Sequence, residues 1–156
     1  MSLAPTPASQ KTQGTIEMVA HQGKTLAILI RAGHDKDGIE FLTPPAFSQQ
    51  LAYMRRPQGY VIDPHVHNRV VREVQYTHEV LFIRRGRLRV DFYSDARQYV
   101  ESRLLLTGDV ILLAGGGHGF EMLEETEIIE VKQGPYDGEK DKTRFEPSAP
   151  VKPVYR

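Results

Sequence analysis

Apolar and polar residues alternate with a period of two through most of this chain, which is typical of β-strands with one buried face. The clearest example follows Gly86, where Leu88, Val90 and Phe92 alternate with charged side chains. Such segments are separated by Gly, Pro, Asp and Asn, and no apolar period of 3.6 residues is long enough for a substantial helix. The pattern predicts an all-β domain of about eleven short strands, arranged as a barrel or a sandwich.

The predicted strands share β-type composition and have turn residues at their ends. We expect residues 79–85 and 87–93 to form a hairpin in which Gly86 takes the positive φ of a tight turn. The first of these strands is apolar on both faces, so a second sheet or a second subunit should cover it. The full set is 15–20, 25–31, 38–42, 49–55, 60–66, 79–85, 87–93, 99–106, 109–113, 118–123 and 127–132.

The length of 156 residues suits one domain. We predict a flexible leader over residues 1–14, a folded domain over 15–134 and an extended, proline-rich C-terminal arm over 135–156 that crosses a neighbour or stays mobile. Acidic and basic residues balance and form no basic stripe, which argues against nucleic acid as a partner. No apolar run is long enough for a membrane span or a signal peptide, so we expect a soluble, cytoplasmic protein.

The chain contains no cysteine, which leaves His, Asp and Glu as candidate metal ligands. His65 and His67 end the predicted strand 60–66, where alternation points both imidazoles to one face, although an isolated pair of this kind is equally often a surface feature. Glu79 shares a face with Leu81, where an unpaired carboxylate would be costly. His118 follows three glycines and taken alone is as well explained by a core histidine.

Together these residues resemble the cupin superfamily over about residues 38–131. The resemblance implies a double-stranded β-helix, or jelly-roll-like, barrel in which three histidines and one glutamate surround a single divalent metal ion. Iron, manganese, nickel and zinc all accept such nitrogen and oxygen donors. Gly59, His65, His67, Glu79 and Gly86 match the first family motif, and Gly108, Asp109 and His118 match the second, so the implied ligands are His65, His67, Glu79 and His118.

Two departures from the family pattern affect this assignment. Eleven residues separate His67 from Glu79, where the family usually has three or four, and the inserted loop offers Glu73 as a rival carboxylate. The stretch before His118 is one residue short, with Ala114 in place of a proline. A change of one residue reverses the face that a strand residue occupies, but the three glycines can absorb it as a bulge.

The leading functional hypothesis is a metal-dependent enzyme acting on a small polar metabolite, such as a sugar or nucleotide-sugar intermediate, by isomerase, epimerase or dioxygenase chemistry. The inserted Arg-bearing loop, together with the stretches HGFEML, EIIEVKQGPY and DKTRFEP, is similar to small cupins associated with bacterial surface-polysaccharide gene clusters. Arg69, Arg72, Tyr53 and Tyr76 are candidate substrate-binding residues, although a solvated loop and simple packing explain them as well. The alternative is a non-catalytic ligand-binding or sensor module, and either form is expected to be a homodimer.

Overall fold

The computed structural model describes residues 15–147 and 152–155, so the predicted leader lies outside the described residues. The fold is all-β, as predicted, and one 3-10 turn, Gly138–Asp141, follows the last strand. No helix in the described part of the chain has the length and apolar character needed to cross a membrane. The strands are β1 (Ile16–His21), β2 (Lys24–Ile30), β3 (Gly38–Phe41), β4 (Ala52–Arg55), β5 (Glu79–Arg85), β6 (Arg87–Tyr93), β7 (Tyr99–Leu106), β8 (Val110–Leu113), β9 (Gly117–Met122) and β10 (Glu127–Lys132).

The strands form two main antiparallel sheets and one separate hairpin. The larger sheet has the order β1-β2-β8-β5-β10, and the smaller has the order β7-β6-β9. The hairpin pairs β3 with β4 and joins neither sheet among the described residues. Both β9 and β10 are therefore edge strands, and the short turn between them connects the smaller sheet to the larger one.

The hydrophobic core lies where the inner faces of the two sheets meet. The larger sheet contributes Leu29, Leu81 and Ile111, and the smaller sheet contributes Val90 and Phe92, all of which are buried in one cluster. Along each strand these residues alternate with side chains of the opposite face, which is the period-two pattern read from the sequence. The double-sheet arrangement explains why many short strands of this chain each need only one fully apolar face.

The predicted hairpin around Gly86 is wrong, because β5 and β6 do not pair with each other. β5 pairs with β8 and β10 in the larger sheet, whereas β6 pairs with β7 and β9 in the smaller sheet. Gly86 has the expected positive φ of 98°. A Cβ atom there would also lie 2.4 Å from the carbonyl oxygen of Glu125. Glycine is therefore needed at this position, where the chain passes from the larger sheet to the smaller one close to another backbone segment.

The predicted strand 60–66 is also absent, since the chain between β4 and β5 contains no strand. Val61 and Ile62 carry the β-type pattern but have no neighbouring strand with which to pair, and both side chains are exposed. Strand formation depends on cross-strand partners and burial more than on backbone preference. Residues 56–78 therefore form one long connection, called the 56–78 segment below.

The described part of the C-terminal arm returns to its own chain. The carbonyl oxygen of Val154 accepts a hydrogen bond of 2.9 Å from the backbone amide of Ser102 on β7, next to a parallel bridge between Ser102 and Tyr155. The Phe145 ring packs edge-on against Tyr93 with 5.2 Å between ring centroids. The arm thus covers part of the outer face of the smaller sheet.

Candidate functional site

Glu79 and His118 meet between the two sheets. Glu79 begins β5 on the same face as the buried Leu81, and His118 lies on β9 opposite the buried Phe92. The two side chains approach to 3.1 Å between the Glu79 Oε2 and His118 Nε2 atoms. The inward orientation expected for both residues is therefore observed, and alternation along two facing strands explains it.

The bend before β9 depends on Gly116, which has a φ of +63°. A Cβ atom at this position would lie 2.3 Å from the carbonyl oxygen of Tyr93, which excludes any side chain at the present backbone position. The register that follows pairs His118 with Phe92 and Phe120 with Val90. The glycines thus allow the chain to turn tightly and still direct His118 towards the core side of its sheet.

The ionised form of Glu79 is stabilised by a hydrogen bond with His118 and by the nearby Lys132. The hydrogen bond with His118 lowers the pKa of the Glu79 carboxyl, and the Lys132 ammonium reinforces this effect, while burial acts in the opposite direction. The Lys132 Nζ atom lies 3.7 Å from Glu79 Oε1. Because the carboxylate is largely shielded from solvent and stays ionised, it offers an anionic oxygen beside an imidazole nitrogen, a donor pair suited to a divalent cation.

Apart from Lys132 of β10, the side chains beside His118 on its face of β9 are apolar. Phe120 and Met122 lie on the same face of β9 as His118, and the His118 and Phe120 ring centroids are 5.3 Å apart. Both apolar side chains nevertheless remain partly exposed. The His118 and Glu79 side chains are 29% and 17% exposed, so solvent reaches the pair. In the described part of the chain β9 and β10 are edge strands, and we call the solvent-accessible region between them the β9–β10 seam.

His65 and His67 lie elsewhere, within the 56–78 segment. Their ring centroids are 5.4 Å apart, and both side chains are exposed. The Nδ1 atom of His65 lies 2.9 Å from the carbonyl oxygen of Asp63 in the same segment. The expectation that this pair ends a strand is wrong, because residues 56–78 contain no strand.

Within a single chain, the four implied metal ligands therefore lie in two separate places. Glu79 and His118 lie between the sheets, and His65 and His67 lie in the 56–78 segment. Among residues 15–147 and 152–155, no three His, Asp or Glu side chains gather closely enough to hold a metal ion. The chemistry of the Glu79 and His118 donors fits a divalent ion, but two donors are fewer than such an ion ordinarily takes from a protein. A metal centre on this chain thus needs additional ligands beside the inward pair.

The other predicted site residues are scattered. Arg69 and Arg72 are exposed in the 56–78 segment, where Glu73 accepts a hydrogen bond of 3.2 Å from Gln75. Tyr53 packs edge-on against a histidine of the β2–β3 connection, with 4.5 Å between ring centroids. Tyr76 is exposed, and the Lys24 ammonium lies 5.9 Å from the centroid of its ring.

Two residues near the inward pair were missed by the reading of the sequence. Lys132 lies on β10 with its side chain directed to Glu79, and alternation along β10 could have placed it there once the pairing with β5 was known. His78 precedes Glu79, and its buried Nδ1 atom has no hydrogen-bond partner among the described residues. Burial lowers the pKa of His78, so this imidazole is held towards its neutral form.

Comparison with family models, with curated proteins and with solved structures gives no match. The fold and the site therefore define the class of this protein on their own: an all-β, double-sheet protein with an inward glutamate–histidine pair at an open seam.

Proposed function

We propose that this chain is a metal-binding cupin that holds one divalent ion at Glu79 and His118. The observation that carries the proposal is the 3.1 Å approach of an ionised carboxylate to an imidazole between two sheets, at the open seam. An ion there would take the place of the hydrogen between the two groups. The two cupin-like motifs of the sequence support the same pair, because they imply Glu79 and His118 as ligands.

The proposed reaction is a transformation of a small polar metabolite, such as a sugar or nucleotide-sugar intermediate. When bound, the ion would supply Lewis-acid polarisation of a carbonyl or hydroxyl oxygen. The protein's own contribution is to keep Glu79 ionised, through His118 and Lys132, before an ion arrives, and to line the approach with the apolar side chains of Phe120 and Met122. The seam is the route by which a metabolite would reach the pair.

A non-catalytic ligand-binding module is the second candidate, and the lining of the seam favours it. Phe120 and Met122 are apolar and partly exposed, and the ionisable side chains found beside them are Glu79, His118 and Lys132. A pocket with few polar groups beyond its metal ligands is better suited to capture than to proton transfer.

Metal analysis of protein purified without a metal-affinity step tests the proposal. We expect about one equivalent of a divalent metal in the wild type and a loss of most of it in His118→Ala, because an imidazole donor is removed. His21→Ala is the matched control, since His21 ends β1 and its side chain takes part in no hydrogen bond or ion pair among the described residues. Equal metal content in His118→Ala and in the control would refute the assignment.

A further inference from the structure

The 56–78 segment is unusually apolar for a surface connection. Val66 is 86% exposed and Val71 is 92% exposed, and six further large apolar or aromatic side chains in the segment are also exposed. Exposed apolar surface of this extent marks a site of interaction. These six are Tyr60, Val61, Ile62, Val70, Val74 and Tyr76.

The middle of this segment makes no polar contact with the barrel to which it belongs. Within the described part of the chain, every hydrogen bond, ion pair and ring contact of residues 61–75 stays inside the segment, as in the contact of His65 with Asp63 and of Gln75 with Glu73. Its two ends are anchored by β4 and β5. The segment is therefore a loop that presents His65 and His67 away from its own core.

The same chain carries surfaces that such a loop could cover. At the β9–β10 seam Phe120 and Met122 are partly exposed, and the outer edges of β9 and β10 have no partner strand among the described residues. On the outer face of the larger sheet, Phe82, Ile129 and Val131 form a neighbouring exposed apolar group. Unpaired edges and exposed apolar faces are the features through which strands of a second chain pair.

The charges of the two surfaces are complementary. Residues 56–78 contain three arginines, one aspartate and one glutamate, which is a net charge of +1 with histidine neutral. Residues 117–132, which form β9, the turn and β10, contain five glutamates and one lysine, a net charge of −4 that ion pairs with Arg85 and Arg89 reduce to −2. Opposite charge favours the encounter of a loop with a seam and disfavours contact between two loops or two seams.

We propose that a second copy of this chain completes the metal centre: the 56–78 segment of one copy lies in the β9–β10 seam of the other and brings His65 and His67 to that copy's Glu79 and His118. This inference rests on the metal-binding function proposed above. A two-fold axis satisfies both surfaces of each copy at once, since each chain donates one loop and receives one. A loop of this length, extended out and back, reaches about 30 Å, which is comparable to the width of a small domain.

Complementation between two variants, each lacking two of the four proposed ligands, tests whether the 56–78 segment is exchanged between copies. One variant carries His65→Ala and His67→Ala, and the other carries Glu79→Gln and His118→Ala. They are refolded together from urea and isolated as mixed dimers through two different peptide tags, neither of them polyhistidine. If the loop is exchanged, one of the two sites in each mixed dimer is intact, so metal content should return to about half of the wild-type value.

The outcomes separate this inference from the proposed function. Metal in the wild type but none in the mixed dimers would overturn the exchange and would mean that each loop serves its own barrel. A wild type that is monomeric by sedimentation would overturn it as well. A wild type that binds no metal, even after reconstitution, would overturn the proposed function together with the inference.

Cross-linking provides a second measurement that does not depend on metal. The chain has no cysteine, so single cysteines can be introduced cleanly. A mixture of Val66→Cys and Met122→Cys chains is expected to form a disulfide-linked dimer on oxidation, because Met122 lines the seam. Met18→Cys is the control, since Met18 is 55% exposed against 49% for Met122 but lies on the opposite edge strand, β1. Equal yields with both partners would contradict the exchange.

Discussion

Asp109 is expected to contribute more to stability than any exposed ion pair of this protein. Its Oδ2 atom accepts hydrogen bonds from Arg31 Nη1 at 2.8 Å and from the Leu106 amide at 3.0 Å. Its Oδ1 atom accepts one from the Ala32 amide at 2.9 Å. Asp109→Ala removes both acceptor oxygens and all three hydrogen bonds, and it leaves the partly buried guanidinium with Glu17 as its remaining carboxylate partner at this end of the sheet. Breaking a buried pair in this way costs about 3–5 kcal/mol.

Asp95→Ala is the matched control for this substitution. Both carboxylate oxygens of Asp95 accept hydrogen bonds of 2.8 Å from Lys24, so the distances resemble those at Asp109. The difference is burial, since the side chain is 69% exposed at Asp95 and 4% exposed at Asp109. Exposed pairs typically contribute less than about 1 kcal/mol because solvent screens them.

Urea unfolding followed by circular dichroism measures the two effects. With a slope of about 1–3 kcal/mol per molar urea, a loss of about 3 kcal/mol lowers the midpoint by at least about 1 M. The shift for Asp95→Ala should be several times smaller. Similar midpoint shifts for the two variants would refute the reasoning, since the contacts would then matter and their burial would not.

Three further predictions concern turns, pH and the exposed outer face. Gly86→Ala should destabilise the fold by about 2–5 kcal/mol in urea unfolding, and Gly23→Ala by only about 1–2 kcal/mol. Both glycines have a positive φ, but of the two only position 86 would place a Cβ atom against backbone atoms. Equal losses of stability would be inconsistent with this clash. Because the folded-state pKa of Glu79 lies below the unfolded value, its carboxylate stabilises the fold at neutral pH and loses this effect as pH falls through the folded-state pKa. Glu79→Gln should therefore lower the urea midpoint at about pH 7 and change it little at about pH 3, and a pH-independent loss would contradict this sign. Phe82→Asp should shift sedimentation towards the monomer, whereas Leu106→Asp, equally exposed on β7, should not; a wild-type value for Phe82→Asp would argue against a dimer through this face.

The strands could be predicted from the sequence because the alternation that marks a strand lies within a few neighbouring residues. Alternation of Leu88, Val90 and Phe92 with polar residues sets the inward face of β6 without reference to any other strand, and the structure buries all three. The inward orientation of Glu79 and His118 followed from the same argument. The choice of partner strand leaves no such local signal in the sequence. For this reason the predicted hairpin around Gly86 was wrong, although the predicted positive φ of Gly86 was correct.

The sequence by itself determined the all-β class, ten of the strands and the inward placement of the glutamate and histidine, since period-two alternation and turn residues act within a few positions. Only the tertiary structure decided which strands pair, and with it the separation of His65 and His67 from that inward pair. The residues of 60–66 have the composition of a strand, but a strand exists only where a neighbour supplies hydrogen bonds and covers one face. Within one chain that neighbour is missing among the described residues, and a β-type sequence alone cannot replace it.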